Sequence, residues 1–159
     1  MRSEKKVDGI SAGVNLITMK TERAFKEWVD RDGPFLPLSS VSEAARSMGI
    51  DDFDLDHYCK TRLKCGFLHW RKQYRIKKAV ELIREDPYRP LNSIALEVGI
   101  DDKTNFRRAF FDITGIQPGE YRDMARRQKE SEARRLSSRI SRLRDFIKLF
   151  RASYDKSGR

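Results

Sequence analysis

The sequence predicts an all-α fold, and three observations carry that prediction. Apolar residues recur at helical spacing through most of the chain, as in Ala24, Phe25, Trp28 and Val29. No credible strand stands out, since the few β-branched residues sit inside 3.6-residue patterns. Glycine and proline fall between the periodic segments, where they end one helix before the next begins.

Taken in order, residues 1–20 show no period of either kind and are expected to form a flexible arm. The stretch TERAFKEWVDRDG reads as a helix with Thr21 as N-cap and Gly33 as its stop, and Pro34 and Pro37 make the next residues extended. A short helix, SSVSEAARSMG, is capped by Ser39 or Ser40 and ended by Gly49. FDLDHYCKTRLKCG is helical again. The longer LHWRKQYRIKKAVELIRED carries Trp70, Tyr74, Ile76, Ala79, Val80 and Ile83 along one side, and Pro87 and Pro90 break it. The pattern then restarts with LNSIALEVG, KTNFRRAFFDITG and QPGEYR. From Tyr121 to about Ala152 there is neither proline nor glycine, and one long helix is expected.

The 159 residues suit one domain, or two very small ones sharing a core. No apolar run approaches the ~20 residues that span a membrane, and the N-terminus lacks the continuous apolar core of a secretory signal. The expected location is therefore the cytoplasm. Net charge is +10, and residues 121–159 carry +8 of it, so the basic excess is mostly C-terminal and favours a polyanionic partner. The two cysteines, Cys59 and Cys65, lie near His57 and His69, but their spacing matches no common zinc motif. On one helix the four side chains would diverge, so no metal or cofactor is assigned.

The quartet GIDD occurs twice, at Gly49–Asp52 and Gly99–Asp102, and its flanks repeat as well. With an offset of fifty, Val41 aligns with Leu91, Ala45 with Ala95 and Met48 with Val98. Glycine can take the left-handed conformation that ends a helix, the following isoleucine plugs the corner, and an aspartate caps the next helix. Ala45 and Ala95 let the second helix cross closely over the first. Two such corners describe a pair of helix-turn-helix units or, as the plainer alternative, ordinary corners of a helical bundle.

The second copy, IALEVGIDDKTNFRRAFFDITGIQPGEYR, is similar to the second helix-turn-helix of AraC/XylS-type transcription regulators. The resemblance rests on Ile94, Ala95, Gly99, Phe106, Arg108, Phe110, Gly115, Pro118, Tyr121 and Arg122. SSVSEAARSMGI resembles the family's first unit, and WRKQYRIKKAVELI the helix that joins the two. The resemblance implies an all-α fold of two helix-turn-helix subdomains joined by a linker helix. It covers residues 21–124, with a first unit at 38–66, the linker at 68–86 and a second unit at 91–122. A basic C-terminal helix follows over 125–159. Relatives with an added effector domain differ from this chain, which is expected to resemble the stand-alone members.

The resemblance implies that two recognition helices enter the major groove of double-stranded DNA. On the second, the base-facing positions are Lys103, Thr104, Arg107 and Arg108, since lysine and arginine read guanine edges or hold phosphates. Phe106 and Phe110 face the core, and Asn105 is a phosphate or capping residue. On the first, the aligned positions are Phe53, Asp56 and His57. That helix departs from the family pattern: Asp51, Asp52, Asp54 and Asp56 crowd it, and the interval from Gly49 to Gly66 is about two residues longer. The linker helix offers Arg71, Lys72 and Arg75 for DNA, with a solvated basic face as the plainer reading. Arg75 matches a characteristic arginine of the family that serves either DNA or structure.

Beyond Arg122, Ala133, Leu136, Ile140, Leu143, Ile147 and Phe150 are spaced three and four apart, which is a coiled-coil seam flanked by arginines. The seam, with Leu136, Ile140, Leu143 and Ile147 at its centre, either pairs with a second copy or packs back near Phe25 and Trp28. The combined expectation is a non-enzymatic, sequence-specific DNA-binding regulator of transcription on the bacterial nucleoid, its second helix dominant. Double-stranded DNA, RNA polymerase and a second copy are the expected partners, and no membrane is. The alternatives are a helix-turn-helix assembly module, favoured by Asp54 and Asp56, and an architectural DNA-binding protein.

Overall fold

A computed structural model describes residues 4–38 and 40–157, with side chains for 16, 18–38 and 40–148. All its regular elements are helical: α1 (Glu4–Asp30), α2 (Val41–Met48), α3 (Asp52–Tyr58), α4 (Phe67–Glu85), α5 (Leu91–Glu97), α6 (Lys103–Thr114) and α7 (Pro118–Ser157). A 3-10 turn at Gly33–Phe35 follows α1, and a π-helical turn at Cys59–Leu63 follows α3.

Two cores are built around the ends of α4. In the first, Phe25 and Trp28 of α1 pack with Ala44, Ala45, Met48, Leu55, Tyr58, Cys59 and Phe67. In the second, Ile76, Ala79, Leu82 and Ile83 of α4 pack with Ile94, Ala95, Val98, Phe106, Ala109 and Phe110. Helix α4 thus gives its N-terminal end to one unit and its C-terminal half to the other. Burial of that apolar area is the main source of stability, and removal of one fully buried ring such as Phe110 costs about 3–5 kcal/mol.

The two GIDD corners fold alike. Gly49 and Gly99 sit at φ 72° and 74°, and Ile50 and Ile100 donate their amides to Ala45 O and Ala95 O at 3.1 and 2.8 Å. The caps then diverge. At the first corner Asp51 Oδ1 accepts from Phe53 N at 2.8 Å, whereas at the second Asp102 Oδ1 accepts from Asn105 N at 2.6 Å. The capping aspartate has shifted by one place between the copies. Asp52 is thereby spare, and its carboxylate accepts from Ser42 Oγ at 2.9 Å. That bond, with nearby backbone amides, holds the carboxyl below its ordinary range.

Three expectations need correction. Residues 4–20 are helical, not an arm without regular structure, because α1 continues upstream from turns anchored by Phe25 and Trp28. A helix growing from a packed nucleus needs no apolar stripe of its own. Thr21 is no N-cap; it lies buried within α1, 2% exposed. The third concerns the segment after α3, which ends in the π turn and a left-handed Lys64 at φ 59° rather than continuing as a plain helix. A π turn takes more residues per revolution, and it absorbs the extra length before Gly66. The Ser40 hydroxyl caps α2, accepting from Glu43 N at 3.1 Å, while Ser39 lies outside the described residues.

Candidate nucleic-acid interface

Helix α6 divides cleanly into two faces. Phe106, Ala109 and Phe110 are buried against α4 and α5, and Lys103, Thr104, Arg107 and Arg108 are exposed. The Asp102 cap and the left-handed Gly115 at φ 74° fix its ends. Tyr121 then locks α6 to its neighbours: its ring meets Phe110 edge-on at 5.7 Å, and its hydroxyl accepts from Arg84 Nε at 2.6 Å. Four polar side chains are thereby held on a rigid helix, and those with cationic heads can reach a phosphate or a base edge. One residue of this face was not singled out in the sequence. Phe111, 47% exposed, lies one turn beyond Arg107 and Arg108. Its neighbour Phe110 is fully buried, and nothing in the FF pair itself says which ring turns outward.

On α3, Phe53 is 74% exposed and its ring stacks on His57, centroids 6.3 Å apart with planes 16° from parallel. Asp56 is half-buried and its carboxylate pairs with Lys60 at 2.7 Å. Of the four aspartates, Asp51 caps, Asp52 holds Ser42 and Asp56 is paired, which accounts for three of the carboxylates noted in the sequence. Leu55, Tyr58 and Cys59 form the buried side, and burial pushes the Cys59 thiol up to about 12, helped by the adjacent Cys65 and Asp56.

The linker helix corrects part of the expected DNA surface. Arg71 is 4% exposed, and its guanidinium donates to Pro34 O at 2.9 Å, to Leu38 O at 2.8 Å and to Leu36 O. Arg75 donates to Pro34 O at 2.7 Å and to Leu36 O at 2.8 Å. Both arginines therefore tie down the loop after α1, which for Arg75 is the structural alternative expected from the sequence, because that loop presents three carbonyls with no helix to bond them. Burial and the Arg71 charge push Arg75 down to about 10, partly offset by Asp101, so it stays protonated at neutral pH. Lys72 stays at the surface and pairs with Asp112 of α6 at 3.3 Å.

The seam residues of α7 stand in the open. Leu136, Ile140, Leu143 and Ile147 are 58, 50, 60 and 49% exposed, and Phe25 and Trp28 are committed to the first core. Packing of the seam near those two aromatics is not seen. The side chains of Phe150 and Arg151 lie outside those described. Among the described residues, no helix is long and apolar enough to cross a membrane.

Comparison with known proteins agrees with this geometry. A family model described as a helix-turn-helix domain matches residues 44–124. Arabinose operon regulatory proteins from Salmonella typhimurium and Escherichia coli are each 29% identical over 82 residues, 52% of this chain. The matched region is 29% and 28% of those relatives, so the chain corresponds to less than a third of their length. The C-terminal domain of AraT, a response regulator from Geobacillus stearothermophilus, is structurally similar with a TM-score of 0.58 and 25% identity, over 66% of this chain and 84% of that one. The C-terminal domain of the response regulator yesN from Fusobacterium nucleatum shares the fold, with a TM-score of 0.55 at 20% identity, over 64% of this chain and 97% of that one. With the helix-turn-helix match spanning half of its residues, the chain belongs to the AraC/XylS-type helix-turn-helix family of transcription regulators.

Proposed function

We propose that this protein is a sequence-specific double-stranded DNA-binding regulator of transcription that presents α3 and α6 to the major groove, with α6 supplying most of the base readout. The observation that carries the reading is the outward face of α6. Lys103, Thr104, Arg107 and Arg108 project from a helix whose other side is locked into a core, and the cations have no ion-pair partner among the described residues. Arginine and lysine so displayed can make the bidentate contacts to guanine O6 and N7 that discriminate among bases. Phe111 on the same face suits a thymine methyl or a sugar.

Helix α3 is the poorer reader. Asp54 and Asp56 oppose an approach to phosphate, and the helix displays the apolar Phe53. The exposed Phe53–His57 stack beside those carboxylates also supports a second reading, in which the first unit docks a protein such as RNA polymerase while α6 holds the operator. Lys72 and the exposed arginines of α7 add salt-dependent, sequence-neutral affinity. The name of the arabinose operon regulatory proteins supports the regulatory role, and the reading has the protein act on the nucleoid in the cytoplasm.

Selection of bound fragments from random duplex DNA by the full chain tests the proposal. A defined motif is expected, lost in the Arg107→Ala/Arg108→Ala variant and retained in Phe53→Ala. Absence of any enriched sequence overturns the reading. Loss of the motif in Phe53→Ala alone overturns the dominance of α6.

A further inference from the structure

Among the described residues, the distal half of α7 displays a run of exposed apolar side chains. As far as Glu130 this helix is held by the domain: Arg126 Nε donates to Pro87 O and Lys129 Nζ to Glu85 O, both at 2.8 Å, and Tyr88 Oη to Glu130 at 3.3 Å. Residues 131–148 are all exposed. On them Leu136, Ile140, Leu143 and Ile147 form a row at spacings of four, three and four. Because the packed turns before it already nucleate the helix, this row is presented without the cost of starting a helix.

We propose that the row pairs with the same row of a second copy, the two helices running antiparallel. The spacing of the four residues reads the same in both directions. An antiparallel partner therefore sets Leu136 against Ile147 and Ile140 against Leu143, each twice, and leaves no row residue unmatched. Charge decides the direction. In a parallel pair a residue flanking the seam on one side faces the partner's residue five places on, which opposes Arg139 to the other copy's Arg144 on both sides. In the antiparallel pair each flank meets its own kind. Arg139 then lies opposite the ring of Phe146, and Arg144 opposite Ser137. The two like-charge contacts are replaced by a cation beside an aromatic and a cation beside a hydroxyl.

The pairing has a consequence that rests on the DNA-binding reading. With a rise of about 1.5 Å per residue, Tyr121 lies about 30 Å from the centre of the pair, so the two DNA-binding units stand about 60 Å apart. Adjacent half-sites are only about 34 Å apart, so such a dimer reaches past neighbouring sites and joins widely spaced or separate segments of DNA.

The test uses the full chain without DNA, so its failure is separate from failure of the DNA-binding reading. In sedimentation at tens of micromolar a dimer is expected. It should tighten as salt rises from about 0.05 to 0.5 M, since screening relieves the repulsion of two basic helices. Ile140→Asp should be monomeric with unchanged circular dichroism, because the position is exposed. Direction is read by cysteine cross-linking in a Cys65→Ser background. Chains carrying Leu136→Cys, mixed with chains carrying Ile147→Cys, should form the mixed disulfide, while neither variant alone should cross-link. Self-cross-linking of Leu136→Cys overturns the antiparallel direction, and a monomer at every salt concentration overturns the pairing itself.

Discussion

Gly99 lies directly against the backbone of Phe35: a Cβ at Gly99 would overlap the Phe35 carbonyl oxygen. The second corner is thus packed against the loop that leaves α1, and Phe35 itself reaches the second core and the ring of Tyr74 at 5.7 Å. Gly49, its counterpart, has the same left-handed backbone but open space around it. Gly49→Ala should therefore cost only the left-handed strain, about 1–2 kcal/mol. Gly99→Ala adds a backbone clash and should cost roughly 2–5 kcal/mol in all. Urea unfolding followed by tryptophan fluorescence compares the two. Equal losses would show that the Phe35 loop yields freely.

The arginine pair on α4 gives a second asymmetry. Arg75 shares both its acceptors, Pro34 O and Leu36 O, with Arg71, whereas Leu38 O has Arg71 as its side-chain donor. Arg71→Met should cost about 2–4 kcal/mol, since it removes charge-assisted bonds and strips Leu38 O of that donor. Arg75→Met should cost about 1 kcal/mol. Neither should alter base preference at a single position; both act through folding. Chemical denaturation of the two variants checks the order.

These two relationships mark where the sequence stops being legible. The corners could be read because each is local: glycine, isoleucine and aspartate within four residues settle a helix stop, a plug and a cap. The outward and inward faces of α6 could be read for the same reason, from the spacing of Phe106 and Phe110. The role of Arg71 could not, and that of Arg75 only as one of two alternatives, because their partners lie 33–41 residues upstream in a loop whose carbonyls carry no sequence signature. A basic residue on an amphipathic helix looks the same whether it meets a phosphate or a carbonyl. The one-place shift of the capping aspartate was hidden as well, since both copies offer two adjacent aspartates. The upstream part of α1 escaped because a helix elongating from a packed nucleus needs no period.

A third prediction concerns pH. The Cys59 thiol stands at about 12 in the folded protein, against an ordinary value of 9, chiefly because it is buried. The unfolded chain therefore releases this proton first. Cys59 contributes stability in full below pH 9 and loses it as pH rises from 9 towards 12. Stability should decline across that window, and Cys59→Ala should flatten the slope. Alkylation at about pH 8 should modify the half-buried Cys65 well before Cys59. An unchanged slope in Cys59→Ala would assign the alkaline loss to other groups.

Arg108 is exposed on α6, one residue from the buried Ala109 and two from the fully buried Phe110, and the proposed function assigns it base readout. The direct test is the base-by-base preference of Arg108→Ala against the unchanged chain, measured by selection from random duplex DNA and by titration of single-base operator variants. The predicted result is relaxed preference at one base pair with a loss of about 1–3 kcal/mol there, as for a lost bidentate contact. Equal weakening on every sequence, with the motif intact, would contradict it and make Arg108 a phosphate contact.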